Sequence, residues 1–576
     1  MSTVRQKAKV KAIFRKFGGI DALRAPLGEE GCADIRNFRV KPNGSLVKRP
    51  AVIPKMTFDG EIRAVYDGAF EESGLIYLLA GDKVYSAGTK ESSPTLIGSV
   101  STSSGDAGFA VFYGYLYLFD GAEIYEIKDG ILRVAEGYAP LVGKDWEPYV
   151  RGEEYEKPNM LSTRTRISYI VTSDSFVSYL HNYPITGVEA VFINGARINP
   201  SDYTIELNLN RVNIYVAEPG DRVEIYFLHN RFLDGAAEFF GSTRAAVYGD
   251  GKNARMFLYG GGDGKTVWFS APVSDENYEE SKKVFDSSGN NRLYFPYDES
   301  HRLHDAKFPV TCLAPHYDRL LIFTRGGTGY IDRNFGTDGN FSVYRTNSAV
   351  GCNVPGGAIQ LENDPVTVGA NCLLRWTAET DRLDESNAVN ISKKVDGILP
   401  RSVFGDSVIY KNPFASEIFL SDTADAEGSV WIMNTDTGEW YRYTGIFAKR
   451  FFRYGETLAF ARENGIYVFD ENSDTDGGNI PIVAEYKSKP IAFGESSEFK
   501  RLLGVNIEAR SKGSIEAEFY GDGKLLKSAR MYAKERNCAE SLNCRLNSER
   551  FAFLEFTIRA DGPDRPEIFS AEIAVK

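Results

Sequence analysis

The stretch GYLYLFDGAEIYEIKDG (114–130) decides the fold. An apolar run, YLYLF, ends in Asp120-Gly121, and a second run with Ile124-Tyr125 follows before Asp129-Gly130 closes the unit. Gly and Asp supply the φ > 0 conformations of tight turns, so the stretch reads as two strands joined by a turn. The same device stands in GLIYLLAGDKVYSAG (74–88), ARMFLYGGGDGKTVWFSAP (254–272), HYDRLLIFTRGGTGYIDR (316–333), GSVWIMNTDTGEWYRYTG (428–445) and GETLAFARENGIYVFDE (455–471). In each, the first run reads as an inner strand and the second carries an aromatic. Stretches around 350–380 and 400–422 hold strand-like runs with less obvious turns. A strand-turn-strand unit repeated every few tens of residues marks a β-propeller, whose blades are four-stranded sheets. At about 45 residues per blade, residues 62–150 and 236–480 leave room for roughly seven, with six or eight allowed. Unrelated hairpins in stacked sandwiches are the alternative.

The repeat is interrupted once. Residues 151–160 (RGEEYEKPNM) are charged and linker-like. A strand-rich block of different spacing then runs to about 235, with hairpin turns at Asn194-Gly195 and Pro219-Gly220-Asp221. Beyond NSDTDGGNI (472–480), runs such as SIEAEFYGDGKLLKS largely alternate apolar and polar residues, the mark of a half-buried antiparallel sheet. The expected fold is all-β: a β-propeller of about six to eight blades with an inserted small β-domain and a C-terminal β-sandwich-like domain. Its parts are an N-terminal arm and first strands (1–60), a first propeller part (61–150), the insert (151–235), a second propeller part (236–480) and a C-terminal β-domain (481–576). SDENYEESKKVF (274–285) and parts of 143–160 are the best helix candidates.

Composition supports a folded body. Of 576 residues, 43% are hydrophobic and 25% charged, enough to bury a core and exclude a mainly disordered chain. Tyr (32) and Phe (37) outnumber Met (6), and 55 glycines punctuate the chain, a profile of short strands rather than helices. No stretch approaches the roughly 20 apolar residues of a membrane-spanning helix, and MSTVRQKAKVKAIFRKF lacks a signal peptide's apolar core. No membrane insertion by this chain is therefore expected, and synthesis in cytoplasm is. The net charge of −12 makes the body a poor general binder of nucleic acid. The first 18 residues are the exception, with Arg5, Lys7, Lys9, Lys11, Arg15 and Lys16 and no acid. They read as a solvated, frayed terminus, or as an arm reaching an acidic neighbour.

Little in the sequence carries chemistry. Cys32, Cys312, Cys352 and Cys372 are scattered among apolar or strand-like residues and read as reduced thiols; Cys538 and Cys544, with five residues between them, allow a hairpin disulfide without matching a zinc or redox motif. His301 and His304, near Asp298 and Asp305, could meet on a helical turn, but further metal ligands at recognisable spacing are missing. Gly260-Gly261-Gly262-Asp263-Gly264 lies between strands, so a hairpin loop explains it better than a phosphate cradle. Asp422/Asp425/Glu427 and Asp470/Asp474/Asp476 could hold calcium but depart from the twelve-residue loop pattern, and read as acidic turns. Trp268, Trp376, Trp431 and Trp440 sit in strand patterns and read as blade packing rather than sugar platforms. No catalytic, cofactor-binding or metal residue is assigned, and no cofactor is expected.

The opening FRKFGGIDALRAPLGEEGCADIRNFRVKPNGSLVKRPAV (14–52) resembles the start of a family of tailed-phage structural proteins. The matching residues are Gly18, Gly19, Asn37, Phe38, Arg39, Gly44, Ser45, Leu46, Arg49 and Pro50. Fragments in VWFSAPVSDENYEE (267–280), DRLLIFTRGGTGYI (318–331), VGCNVPGGAIQLEND (350–364), VWIMNTDTGEWYRYT (430–444) and YKSKPIAFGESSEFKRL (486–502) follow in the family's order. The family is similar to the propeller-based tail hub, nozzle and packaged-DNA stabilisation proteins of mainly short-tailed phages. The resemblance implies a non-enzymatic virion protein, assembled in the host cytoplasm, that forms a homo-oligomeric ring, commonly six-fold, below portal and adaptor. Such a ring continues the DNA channel without sequence-specific binding, helps retain the genome and docks fibres or spikes. The insert, with VFINGARINPSDYTI, also resembles small β-domains of phage tail and fibre proteins. Two other classes stand beside this reading. A host-surface module binding carbohydrate or receptor would bind as a monomer, and a propeller hydrolase would need paired carboxylates across a cleft.

Overall fold

The computed structural model describes residues 10–23, 31–71, 74–89, 93–144, 155–172, 177–179, 185–230, 234–249, 251–273, 275–281, 292–297, 300–303, 306–332, 343–377, 387–494, 497–511, 513–532, 540–545 and 549–576. The chain forms two compact units, Asp59–Ala349 and Met1–Phe58 with Val350–Lys576. The fold is all-β and of the propeller class. Among the described residues there are seven four-stranded antiparallel meanders of blade type, four in the first unit and three in the second.

In Asp59–Ala349, blade 1 comprises Ile62–Tyr66, Leu75–Ala80, Lys83–Gly88 and Thr95–Ser99. Blade 2 comprises Gly108–Phe112, Tyr115–Phe119, Ile124–Lys128 and Ile131–Val134. Blade 3 is Arg244–Tyr248, Arg255–Tyr259, Thr266–Phe269 and Ser300–Arg302, and blade 4 is Val310–His316, Arg319–Thr324, Gly327–Asp332 and Val343–Asn347. The apolar runs that decided the fold are the second strands. All five residues of Tyr115–Phe119 are buried, because successive side chains point to opposite faces and each face meets a different neighbour. Leu116 and Leu118 pack with Tyr77, Leu79 and Val84 of blade 1. Tyr117 and Phe119 pack with Met256, Leu258 and Trp268 of blade 3. One step further, Phe257 and Tyr259 pack with Leu320 and Ile322 of blade 4. A strand covered on both sides cannot alternate apolar with polar, which explains the unbroken runs.

The insert has its own core, including Ile167, Val191, Val212, Ile225 and Phe227. Its five-stranded sheet holds Leu141–Gly143, Arg164–Ile170, Arg222–His229, Ile185–Ile193 and Ala196–Arg197, and a three-stranded sheet holds Val177–Tyr179, Arg211–Ile214 and Tyr203–Glu206. Asn194-Gly195 makes the expected hairpin between Ile185–Ile193 and Ala196–Arg197. The helix expected within 274–285 is present as Asp275–Ser281. A second short helix, Ala236–Phe240, gave no sequence signal that stood out. The described residues of 143–160 hold no helix.

In the other unit, blade 5 is Ala358–Leu361, Asp364–Val368, Leu373–Trp376 and Ala388–Asn390. Blade 6 is Ser407–Asn412, Glu417–Asp422, Val430–Asn434 and Trp440–Tyr443, so the stretches 400–422 and 428–445 are two halves of one blade. Blade 7 takes Arg450–Tyr454, Thr457–Arg462 and Gly465–Asp470, and its fourth strand, Ala51–Thr57, comes from the start of the chain.

The C-terminal sandwich also draws on the first fifty residues. One sheet runs Phe38–Val40, Leu46–Lys48, Glu567–Val575, Lys500–Arg510 and Glu540–Arg545, and Val10–Phe14 pairs with Glu567–Val575. The other contains Cys32–Arg36, Ala484–Ser488, Leu554–Ala560, Ser514–Gly521 and Lys524–Tyr532, and joins blade 6 where Arg36 meets Arg442. Ser514–Gly521 alternates strictly, burying Ile515, Ala517 and Phe519, as a sheet with one covered face must. Residues 10–14 correct the reading of 1–18 as a frayed terminus: Ala12 and Phe14 are buried, and the Phe14 and Phe556 rings meet edge-on at 5.2 Å. Arg5, Lys7 and Lys9 lie outside the described residues. Among the described residues, no helix is long and apolar enough to cross a membrane.

Because Leu118 and Phe119 feed separate cores, Leu118→Ala should lose about 2–5 kcal/mol and Phe119→Ala about 3–5 kcal/mol. The double variant should lose the sum to within about 0.5 kcal/mol. Urea unfolding midpoints of the three variants check this.

Candidate functional site

The residues weighed for chemistry in the sequence are mostly spent on structure. Asp422 accepts from the Ser402 hydroxyl at 2.5 Å and the Ala424 amide at 3.1 Å, and Asp425 accepts from the amides of Glu427 and Ser429. Asp470 accepts from the Asn472 amide and the Ser473 hydroxyl. These are turn-closing bonds of the kind acidic loop residues make. Trp268, Trp376, Trp431 and Trp440 are buried in the blades. Gly260–Gly264 connects two strands of blade 3. Cys32, Cys312 and Cys352 are buried free thiols, and burial pushes the half-buried Cys372 thiol up to about 11. The His301 and His304 side chains, Asp298, Asp305, and the side chains of Cys538 and Cys544 lie outside the described residues. Among the described residues, no group of three or more His, Cys, Asp or Glu could hold a metal ion.

Instead, Asn37 and Arg49 of the opening segment meet in one buried clasp. Asn37 sits at φ 56°, a left-handed conformation that Asn tolerates. Its side-chain amide donates to Thr444 Oγ1 at 2.9 Å and to the Val483 carbonyl at 2.8 Å. Its Oδ1 accepts from the Thr444 amide and from Arg49 Nε. Arg49, 2% exposed, then spends its remaining donors on the Pro50 and Thr444 carbonyls and on both carboxylate oxygens of Asp476. Asp476 also accepts from the Val52 amide at 2.7 Å, fixing the first residues of the strand that completes blade 7. The guanidinium fork suits this task because five fixed donors satisfy scattered carbonyls and a carboxylate together.

Other residues of the opening segment fasten to the same unit. Arg39 and Arg565 both bind Glu471. The Ser45 hydroxyl donates to Glu567 at 2.9 Å, tying the Gly44-Ser45 turn to the last strand of the sandwich. Gly44 sits at φ +84°, and a Cβ there would lie 2.8 Å from the Lys16 Cα. A Cβ on Gly19 would lie 2.7 Å from the Trp440 backbone nitrogen, so that segment presses on blade 6 as no larger residue could. Lys48 is fully buried and donates to the carbonyls of Gly562 at 2.7 Å and Asp564 at 3.0 Å. Burial pushes its ammonium down to about 8, although Asp564 and Asp561 favour the charge. The sequence showed these residues as a pattern; it did not show that their partners stand some four hundred positions away.

A cavity of about 490 Å³ lies between the outer parts of blades 3 and 4, with Arg302, Lys307, Arg345 and Phe308 in its lining. Arg302 is already engaged by Asp263 and Glu238.

With this geometry in place, comparison with known proteins adds no family. No family model matches the chain, and no curated protein matches it. Solved structures that match the chain include the computationally designed Ika8 protein, at 10% identity, TM-score 0.31, covering 73% of this chain and 99% of that one. The extracellular domain of a one-component system of B. thetaiotaomicron shares 8% identity at TM-score 0.37, covering 90% of this chain and 60% of that one. PorZ, a surface component of the type-IX secretion system of Porphyromonas gingivalis, shares 10% identity at TM-score 0.34, covering 84% and 46%.

Asp476→Ala leaves the buried Arg49 charge without its counter-ion and should cost about 3–5 kcal/mol. Combining it with Arg49→Met should cost less than the two separate losses summed, which a double-mutant cycle of denaturant midpoints measures. Lys48 sets a pH dependence. Between pH of about 8 and 10.5 the unfolded chain holds a proton that the folded chain has released, so this group makes stability rise with pH across that window. The melting temperature of the natural chain minus that of Lys48→Met should therefore increase from pH 8 to pH 10.

Proposed function

We propose that the chain is a structural subunit of a phage tail, assembling into a ring below portal and adaptor that continues the DNA channel, helps retain the genome and docks fibres or spikes. The observation that supports this reading is that residues of the opening pattern fasten the start of the chain to its last third: Asn37 and Arg49 bond to each other and to Thr444 and Asp476, Arg39 binds Glu471 and Ser45 binds Glu567. A signature that locks a fold would place its residues at such junctions. The step from signature to function is an argument by analogy, and the physical chemistry agrees with it. Blades bury their apolar strands in one another and leave loops for neighbours. A body of net charge −12 gives passing DNA no general grip. A closed ring of identical subunits needs two different faces on each, meeting head to tail. The ring has no turnover in this reading.

Negative-stain imaging and light scattering of the purified full chain should show annular oligomers, alone or on adding portal and adaptor proteins from the same particle. A monomer under both conditions, absent from purified particles, overturns the proposal.

A further inference from the structure

We propose that a cavity between blades 5 and 6 is a saccharide-binding site. It measures about 690 Å³, inside the range of about 300–1,000 Å³ usual for small-molecule pockets. The turn after Asp364–Val368 supplies Asn371, the loop before Ala358–Leu361 supplies Asn353, and the segment from blade 5 to blade 6 supplies Asp396 and Arg401. Leu399 and Phe404, each 6% exposed, add apolar lining.

The donor and acceptor pattern selects the ligand class. The side chains of Arg401 and Asn371 are exposed and, among the described residues, make no hydrogen bond or ion pair. Arg401 presents five donors, and Asn371 presents two donors and an acceptor. Asn353 gives its amide group to the Phe404 carbonyl, which leaves its Oδ1 able to accept. Asp396 takes one donor on each oxygen, Ser392 Oγ at 2.5 Å and Asn390 Nδ2 at 2.7 Å, and keeps accepting capacity on both. A simple anion would meet the Asp396 carboxylate, and a simple cation would meet Arg401. A polyhydroxylated ligand suits both, since every hydroxyl both donates and accepts, and its C–H faces suit Leu399 and Phe404. The site requires no ring assembly, so it stands or falls apart from the tail proposal.

Gly397 supplies a clean block: a Cβ there meets nothing within 4 Å, and its backbone is outside the left-handed region. The test is calorimetric titration of the full chain with chitotriose and with maltotriose. At least one should bind with a Kd of about 1 mM or tighter. Gly397→Trp and, separately, Arg401→Ala should weaken it about tenfold or more with unchanged melting temperature. Binding of neither sugar, or binding within about twofold of the natural chain in both variants, overturns the assignment. Displacement of the bound sugar by an equal concentration of glycine also overturns it and marks a zwitterion site instead.

Discussion

Two-sided burial of the blade strands is the constraint from which the rest follows. A strand such as Tyr115–Phe119 sends Leu116 and Leu118 into one core and Tyr117 and Phe119 into another, so neither face has room for a charge. Where buried backbone carbonyls need donors, one solution recurs. Arg63, 4% exposed, donates to the carbonyls of Gly81, Gly105 and Thr102 within Asp59–Ala349. Arg166 of the insert, fully buried, holds Glu280 at 2.9 Å and the Asn277 carbonyl at 3.0 Å on the helix Asp275–Ser281. Arg49 does likewise for Thr444 and Asp476. In each case one fork satisfies several buried acceptors that would otherwise be left without donors.

The clasp differs from the other two in what it joins. Arg63 and Arg166 connect segments of one unit that are moderately close in sequence, whereas Asn37 and Arg49 connect positions 407 and 427 residues apart. The sandwich, blade 6 and blade 7 are thereby bound to the start of the chain by hydrogen bonds as well as by the shared core of Phe17, Phe38, Tyr486 and Phe556. Asn37 and Arg49 are interior fittings that hold the fold.

The blades were legible because the physics that makes them is local: an apolar run, a tight turn and a second run all lie within some fifteen residues. The insert was legible for the same reason at Asn194-Gly195, and the sandwich through the strict alternation of Ser514–Gly521. What stayed hidden is non-local. Nothing near Ala51–Thr57 announces that it completes a blade begun at Arg450, and the alternation of Val10–Phe14 is too short to separate a strand from a basic tail. Isolated arginines such as Arg63 and Arg166 look like any solvated strand residue, because a sequence does not show which carbonyls will surround them. The Asn371, Asp396 and Arg401 cluster escaped notice for a further reason: its members sit in turns, where Asn and Asp are common for conformational causes alone.

The pairing of Val10–Phe14 with Glu567–Val575 sets an order of events during synthesis. Asp59–Ala349 is one continuous stretch and can close as it leaves the ribosome. The first 58 residues cannot, since most of their partners are made last. At about 5–20 residues per second Val10–Phe14 waits roughly half a minute to nearly two minutes, with its apolar residues uncovered. A nascent-chain chaperone would find its most persistent client in that leading segment, well after the middle of the polypeptide had become inaccessible to it.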